Sequence, residues 1–142
     1  MITAHAALKV YYSTAFSSFH RQSATVLTSD PYLCITEDNG AAVNNCGFTV
    51  NLLFSLPITD VTEGSKHTVT VQDYWQGTDS FSCYPYAYTG TESSSTIGAA
   101  MTFTGPSQSQ SSSVKLASGE VTIQVICWEV PSSDGVAFIT WH

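Results

Sequence analysis

Tyr84, Tyr86 and Tyr88 occupy alternate positions of the run Ser80 to Thr89, so in an extended chain their rings emerge on one face. With Tyr74 they would build a flat aromatic platform. Aromatic rings stack on the apolar faces of sugars, and a Ser/Thr-rich surround supplies hydrogen bonds to sugar hydroxyls, so this pattern points to a glycan-binding face. Alternating tyrosines also serve ordinary cross-strand packing, in which case the face is covered by a partner or a neighbouring sheet. Catalysis has less to stand on, because it needs a nucleophile with its base, paired carboxylates or a metal cluster. His5, His20, His67 and His142 are scattered, with no HxH or HxxxH spacing. Asp30, Asp38, Asp60, Asp73, Asp79 and Asp134 fall mostly at strand ends and turns, where Asp supports the backbone; calcium at one of these loops is the lesser reading, because there is no DxDxDG loop. The sequence therefore calls for no catalytic residue, no metal and no cofactor.

Cys34, Cys46, Cys83 and Cys127 are even in number and lie in or beside β-like runs, with no CxxC pair among them. That pattern fits a disulfide framework, which persists in oxidising compartments. Of the three possible pairings, one has Cys34 and Cys46 closing the turn between them and Cys83 bridged to Cys127 inside the core, where the apolar phase of both strands puts them. The chain has 142 residues, a formal net charge of −7 and only 11% charged residues, against roughly 25% in an average soluble domain. With four Lys and Arg it lacks the basic footprint of a nucleic-acid binder, and an anionic membrane surface repels it. No apolar run approaches the roughly 18 residues of a membrane span. The start carries no basic segment followed by an apolar one, so an export signal would already be gone. Location is expected to be extracellular or at the cell surface.

The elements that must position these residues have a period of two almost throughout. Ile2, Ala4, Ala6, Leu8, Val10 and Tyr12 share one face of a long first strand. Asn39-Gly40 suits a tight hairpin turn. The run Phe48 to Leu56 turns Phe48, Val50, Leu52, Phe54 and Leu56 inward, and His67 to Trp75 aligns Val69, Val71, Asp73 and Trp75. Phe81, Cys83, Pro85 and Ala87 oppose the tyrosines, and Pro85 suggests an edge or a bulge. Residues 90 to 113 read as loop, short strand, loop around Ile97, Ala99, Met101 and Phe103. Val121, Ile123, Val125 and Cys127 then share a side, and Val136 to Trp141 ends the domain in a strand. The expected fold is all-β: an antiparallel β-sandwich, Ig-like or jelly-roll-like, with seven to nine strands and no significant helix. A barrel is the second choice.

The succession YLCIT, NNCGFTV, VTVQD, SFSCY, VICWEVP and GVAFITW resembles a loosely defined group of small secreted, four-cysteine, Ser/Thr/Gly-rich bacterial β proteins. The resemblance spans roughly residues 30 to 142 and implies export, disulfides and a β fold. Residues 1–29 stand outside it as an N-terminal strand and linker, and 30–142 form the disulfide-bonded body. An untethered strand with small residues Ala4 and Ala6 has the form of a donor strand, which inserts into the sheet of the next subunit. The expected function is thus a non-catalytic structural subunit that assembles with copies of itself into a filament or surface layer. The alternative is a lectin-like module that binds glycan through Tyr74, Tyr84, Tyr86 and Tyr88.

Overall fold

The computed structural model of the chain describes residues 11–14, 19–20, 34–56, 62–77, 79–89 and 95–142. Two antiparallel sheets face each other across one apolar core, with no α-helix among the described residues. The strands are β1 (Tyr11–Thr14), β2 (Phe19–His20), β3 (Ile35–Asp38), β4 (Ala41–Asn44), β5 (Val50–Leu56), β6 (Lys66–Tyr74), β7 (Phe81–Thr89), β8 (Ser95–Ile97), β9 (Met101–Phe103), β10 (Ser109–Lys115), β11 (Glu120–Val130) and β12 (Gly135–Trp141). The first sheet runs β10-β6-β12-β4-β3, with β1 also on β12; the second runs β2-β5-β11-β7-β8, with β9 also on β7.

The β-sandwich expectation holds, with more strands than the seven to nine expected. Part of the excess comes from one interruption: the chain from Ile97 to Met101 breaks a single strand position into β8 and β9, which share the outer side of β7. Gly98 sits at the break, where a Cβ would lie 2.5 Å from Pro85 Cγ and 2.7 Å from the Ser113 carbonyl oxygen. Its N–H donates to the Pro85 carbonyl at 2.9 Å. Pro85 is therefore not at an edge, but it does lie opposite a bulge: three steps of β7, from Cys83 to Tyr86, face four of the neighbouring segment, from Met101 to Ile97. It lies inside β7, with its missing donor turned toward the gap between β8 and β9, where no ladder bond is lost.

The alternating pattern decides the core as the sequence leads one to expect. Val50, Leu52, Phe54 and Leu56 point inward from β5, Val69 and Val71 from β6, Phe81, Cys83 and Ala87 from β7, and Ile123, Val125 and Cys127 from β11. Phe48 does not join them: it is 51% exposed, because β5 begins only at Val50 and the preceding residues bend. Val121 also departs, at 47% exposed. It is the extra residue of a bulge in which Glu120 and Thr122 face the consecutive Thr89 and Tyr88. The Ser/Gln-rich stretch expected as loop after Gly105-Pro106 is instead edge strand β10. Its hydroxyls compensate for its low apolar content: Ser111 and Ser113 meet Thr70 and Thr68 across β6 at 2.6 Å and 2.8 Å, and Val114 is buried.

Both disulfides form the pairing in which Cys34 bonds Cys46 and Cys83 bonds Cys127. The first brackets the β3–β4 hairpin, whose Asn39 and Gly40 have φ of 50° and 88°, the left-handed pair that a two-residue type I′ turn requires. The second joins register partners of β7 and β11 in the centre of the core.

At the β4–β12 contact the two backbones approach so closely that a Cβ on Gly135 would fall 1.9 Å from the Ala42 carbonyl oxygen. Gly135→Ala is expected to cost about 3 kcal/mol or more through overpacking against rigid backbone. Urea unfolding would read this as a marked drop in midpoint, and a wild-type midpoint would contradict the close approach.

Candidate functional site

Because Phe81, Cys83, Pro85 and Ala87 are drawn into the core, the intervening Ser82, Tyr84, Tyr86 and Tyr88 must stand on the outer face of the second sheet, where all four are half-buried. Tyr86 and Tyr88 are nearly parallel, with ring centroids 5.9 Å apart and planes 9° from one another. Tyr84 meets Tyr86 edge-on at 6.4 Å and 63°. The three rings form a continuous ladder along β7. Tyr74 is not part of it. It belongs to β6 of the opposite sheet, where its hydroxyl donates to the Asp38 carboxylate, and that hydrogen bond raises its pKa above the ordinary phenol value.

Beside the ladder, β11 departs from regular pairing. Cys127 faces Leu52 and Val130 faces Val50, so three steps on β11 match two on β5; Trp128 is outward in regular register with Ser82, and the extra residue leaves Glu129 exposed as well. Glu129 has φ of 52°, a left-handed conformation that costs a non-glycine residue energy. Its N–H is held by the Asn51 side-chain oxygen at 2.9 Å. Trp128 is 37% exposed, and its indole N–H donates to the Tyr86 hydroxyl at 3.3 Å.

Ladder and bulge together enclose an open concavity of about 450 Å³ lined by Ser80, Phe81, Ser82, Tyr84, Tyr86, Trp128 and Glu129. Phe81 borders it, its buried ring stacked at 5.2 Å on Phe103 and at 6.2 Å on Trp75. Ser82 is oriented by a 2.9 Å bond between its hydroxyl and that of Thr102. Chemically the concavity offers indole and phenol surface, serine hydroxyls that donate or accept, and one carboxylate that accepts. No cationic side chain among the described residues lines it, so these supply nothing with which to neutralise a phosphate or sulfate. Among the described residues no group of three or more His, Cys, Asp or Glu could hold a metal ion.

Trp128 and Glu129 were not among the residues the sequence singled out. Trp128 has a signal in the alternation itself, being opposite in phase to Ile123, Val125 and Cys127; Glu129 has none, because its position depends on the register shift against β5. Of the expected assembly strand, Ile2, Ala4, Ala6, Leu8 and Val10 lie outside the described residues. Tyr12 lies in β1, paired with Thr140 of the chain's own β12.

No protein-family model matches this chain, and no curated protein is similar to it. Among solved structures, a carbohydrate-binding module (CBM6cm-2) from Cellvibrio mixtus lichenase 5A in complex with cellotriose is similar over 93% of this chain and 95% of that one, with a TM-score of 0.49 and 11% sequence identity. The likeness assigns no residue a role. No helix of the described residues is long and apolar enough to cross a membrane.

Proposed function

We propose that this chain is a secreted, disulfide-bonded β-sandwich that binds neutral carbohydrate on the outer face of β7 and β11 and catalyses no reaction. The observation that carries the reading is the bulge at Trp128 and Glu129. A bulge with a non-glycine residue at positive φ is a costly local arrangement, and such features recur where a side chain has to be aimed at a ligand. Here it turns the Glu129 carboxylate outward beside the Trp128 indole, which the β7–β11 register already sets next to the tyrosine ladder. A pyranose presents an apolar face of C–H groups and a rim of hydroxyls, and the concavity matches both, with aromatic surface for the face and Glu129, Ser80 and Ser82 for the rim. The net charge of −7 disfavours acidic polysaccharides, and among the described residues no cation lines the concavity to offset it.

On its own strand Glu129 has no carboxylate partner for hydrolysis of the same ligand. Glu129 and Glu120 stand nine positions apart on β11, about 30 Å along an extended strand, whereas glycosidase carboxylates lie roughly 5 to 10 Å apart. Glu120 is moreover occupied, accepting from the Ala117 and Thr96 N–H groups and from the Thr96 hydroxyl at 2.6 to 2.9 Å. The two disulfides suit an oxidising, extracellular setting.

A panel of immobilised polysaccharides, read by affinity electrophoresis, tests the function. At least one neutral polysaccharide should retard the wild-type chain, polyuronates should not, and Tyr86→Ala should abolish the retardation. No retardation by any neutral glycan, or equal retardation of the variant, would count against the reading.

A further inference from the structure

The inner face of the first sheet carries two buried carboxylates that the glycan reading does not use. Asp73, near the end of β6, is 3% exposed, and Asp134, just before β12, is 0% exposed. The register sets Val136 against Asp73 and Gly135 against Tyr74, so Asp134 falls diagonally across from Asp73 and on the same inward phase. Diagonal cross-strand neighbours stand about 7–8 Å apart, a separation that two Asp side chains can close onto one shared ion.

One oxygen of each carboxylate is accounted for. Asp134 Oδ1 accepts from the N–H groups of Gln76 and Gly77 at 2.7 Å and 2.8 Å. Asp73 Oδ1 accepts from the Gln108 N–H at 2.8 Å. The other oxygen of each, Asp73 Oδ2 and Asp134 Oδ2, is buried with no hydrogen-bond partner. Gly77 leaves space beside the second of these, since a Cβ there would sit 3.1 Å from it.

Buried carboxylates are normally paired with a cation or bound to a metal. Among the described residues the lysines are Lys66 and Lys115, which face each other at the far end of β6 and β10. Lys66 is seven positions from Asp73, about 23 Å along the strand, too far to neutralise it. Desolvation by burial raises the Asp73 pKa above the ordinary value; the Gln108 N–H opposes this, and the nearby Asp134 charge adds to it.

We propose that Asp73 and Asp134 hold one hard divalent cation of the Ca²⁺ class between their free Oδ2 atoms. Two carboxylates without imidazole or thiolate select a cation that prefers oxygen and completes its shell with carbonyl and water oxygens. Ca²⁺ fits better than Mg²⁺, which demands a regular octahedron and gives up its water reluctantly. The pair lies on the first sheet and the tyrosine face on the second, so the cation site and the glycan site stand or fall separately. The ion would tie β6, the Gln76-Gly77 segment and the segment entering β12 to one another.

The test uses the full chain stripped of metal with EDTA. Millimolar Ca²⁺ should raise its thermal midpoint by about 5 °C or more, with a stoichiometry of one ion per chain in calorimetry. Tb³⁺ in place of Ca²⁺ should give luminescence when the indoles are excited, because Trp75 lies two positions from Asp73 on the same face, and Ca²⁺ should compete it away. Asp134→Asn keeps an Oδ1 acceptor for Gln76 and Gly77 and should abolish both responses. A carboxyl pair sharing a proton would behave otherwise: Ca²⁺ and Tb³⁺ would do nothing to the wild type, and Asp134→Asn, whose amide mimics the protonated acid, would be as stable as the wild type. Either that outcome or a Ca²⁺ response that survives in Asp134→Asn and in Asp73→Asn overturns the site. Should Asp134→Asn not fold, the wild-type Tb³⁺ luminescence and calorimetric stoichiometry still decide.

Discussion

Replacing Trp128 with alanine should weaken binding of a neutral glycan by roughly thirtyfold or more while leaving the thermal midpoint nearly unchanged. A residue at the centre of a binding surface that loses a large aromatic contact typically costs about 2 kcal/mol or more, which is that factor in affinity. Little stability is at stake because the indole is already 37% exposed and points away from the core. Its one hydrogen bond, to the Tyr86 hydroxyl at 3.3 Å, is a surface bond. Trp128→Phe separates the two contributions: the ring is kept and the N–H lost, so affinity should fall between wild type and alanine. Calorimetric titration checks both variants. A Trp128→Ala chain that binds as tightly as wild type would remove the bulge from the site.

The two disulfides are expected to differ in what their removal costs, and in which function goes with them. Cys83 and Cys127 are 44 positions apart and Cys34 and Cys46 are 12 apart. The chain-entropy relation gives about 4 kcal/mol for the longer loop and about 3 kcal/mol for the shorter. The longer bridge is also fully buried, so replacing both of its sulfurs with alanine leaves a cavity that adds to the loss. The shorter one encloses a hairpin whose Asn39-Gly40 turn already favours closure. Urea unfolding of the two double-alanine variants should therefore show the Cys83/Cys127 variant to be the less stable. Glycan binding should follow the same order, since Cys83 stands between Ser82 and Tyr84 and Cys127 stands beside Trp128. A larger effect from the Cys34/Cys46 variant would contradict this account.

What was legible in the sequence is what depends on near neighbours. The tyrosine ladder follows from residues two apart, and the β3–β4 turn follows from one dipeptide. The core phase of Cys83 and Cys127 follows from the alternation around each. What was not legible depends on which strand lies beside which. Tyr74 alternates as cleanly as Tyr84, yet nothing in the order of residues says that β6 and β7 belong to opposite sheets. Trp128 stands outward by plain alternation from Cys127, opposite Ser82, but Glu129 follows it outward only through a register shift against β5, which exists only once the pairing exists. Asp73 and Asp134 read separately as ordinary strand-end residues, and only the β6–β12 pairing brings their side chains to one place. The Ser-rich run of β10 reads as loop because its stabilisation comes from hydroxyls on the facing strand, and intrinsic strand preference contributes little there.

The most direct test of glycan recognition at this face is a nuclear magnetic resonance titration of the ¹⁵N-labelled chain with an oligosaccharide of whichever neutral polysaccharide retards it. The account predicts that the Trp128 indole N–H and the amides of Ser82, Tyr84 and Tyr86 shift together and saturate together, while the buried Trp141 indole of the first sheet stays in place. Shifts confined to the first sheet, or a titration in which the Trp128 resonance does not move, would contradict it.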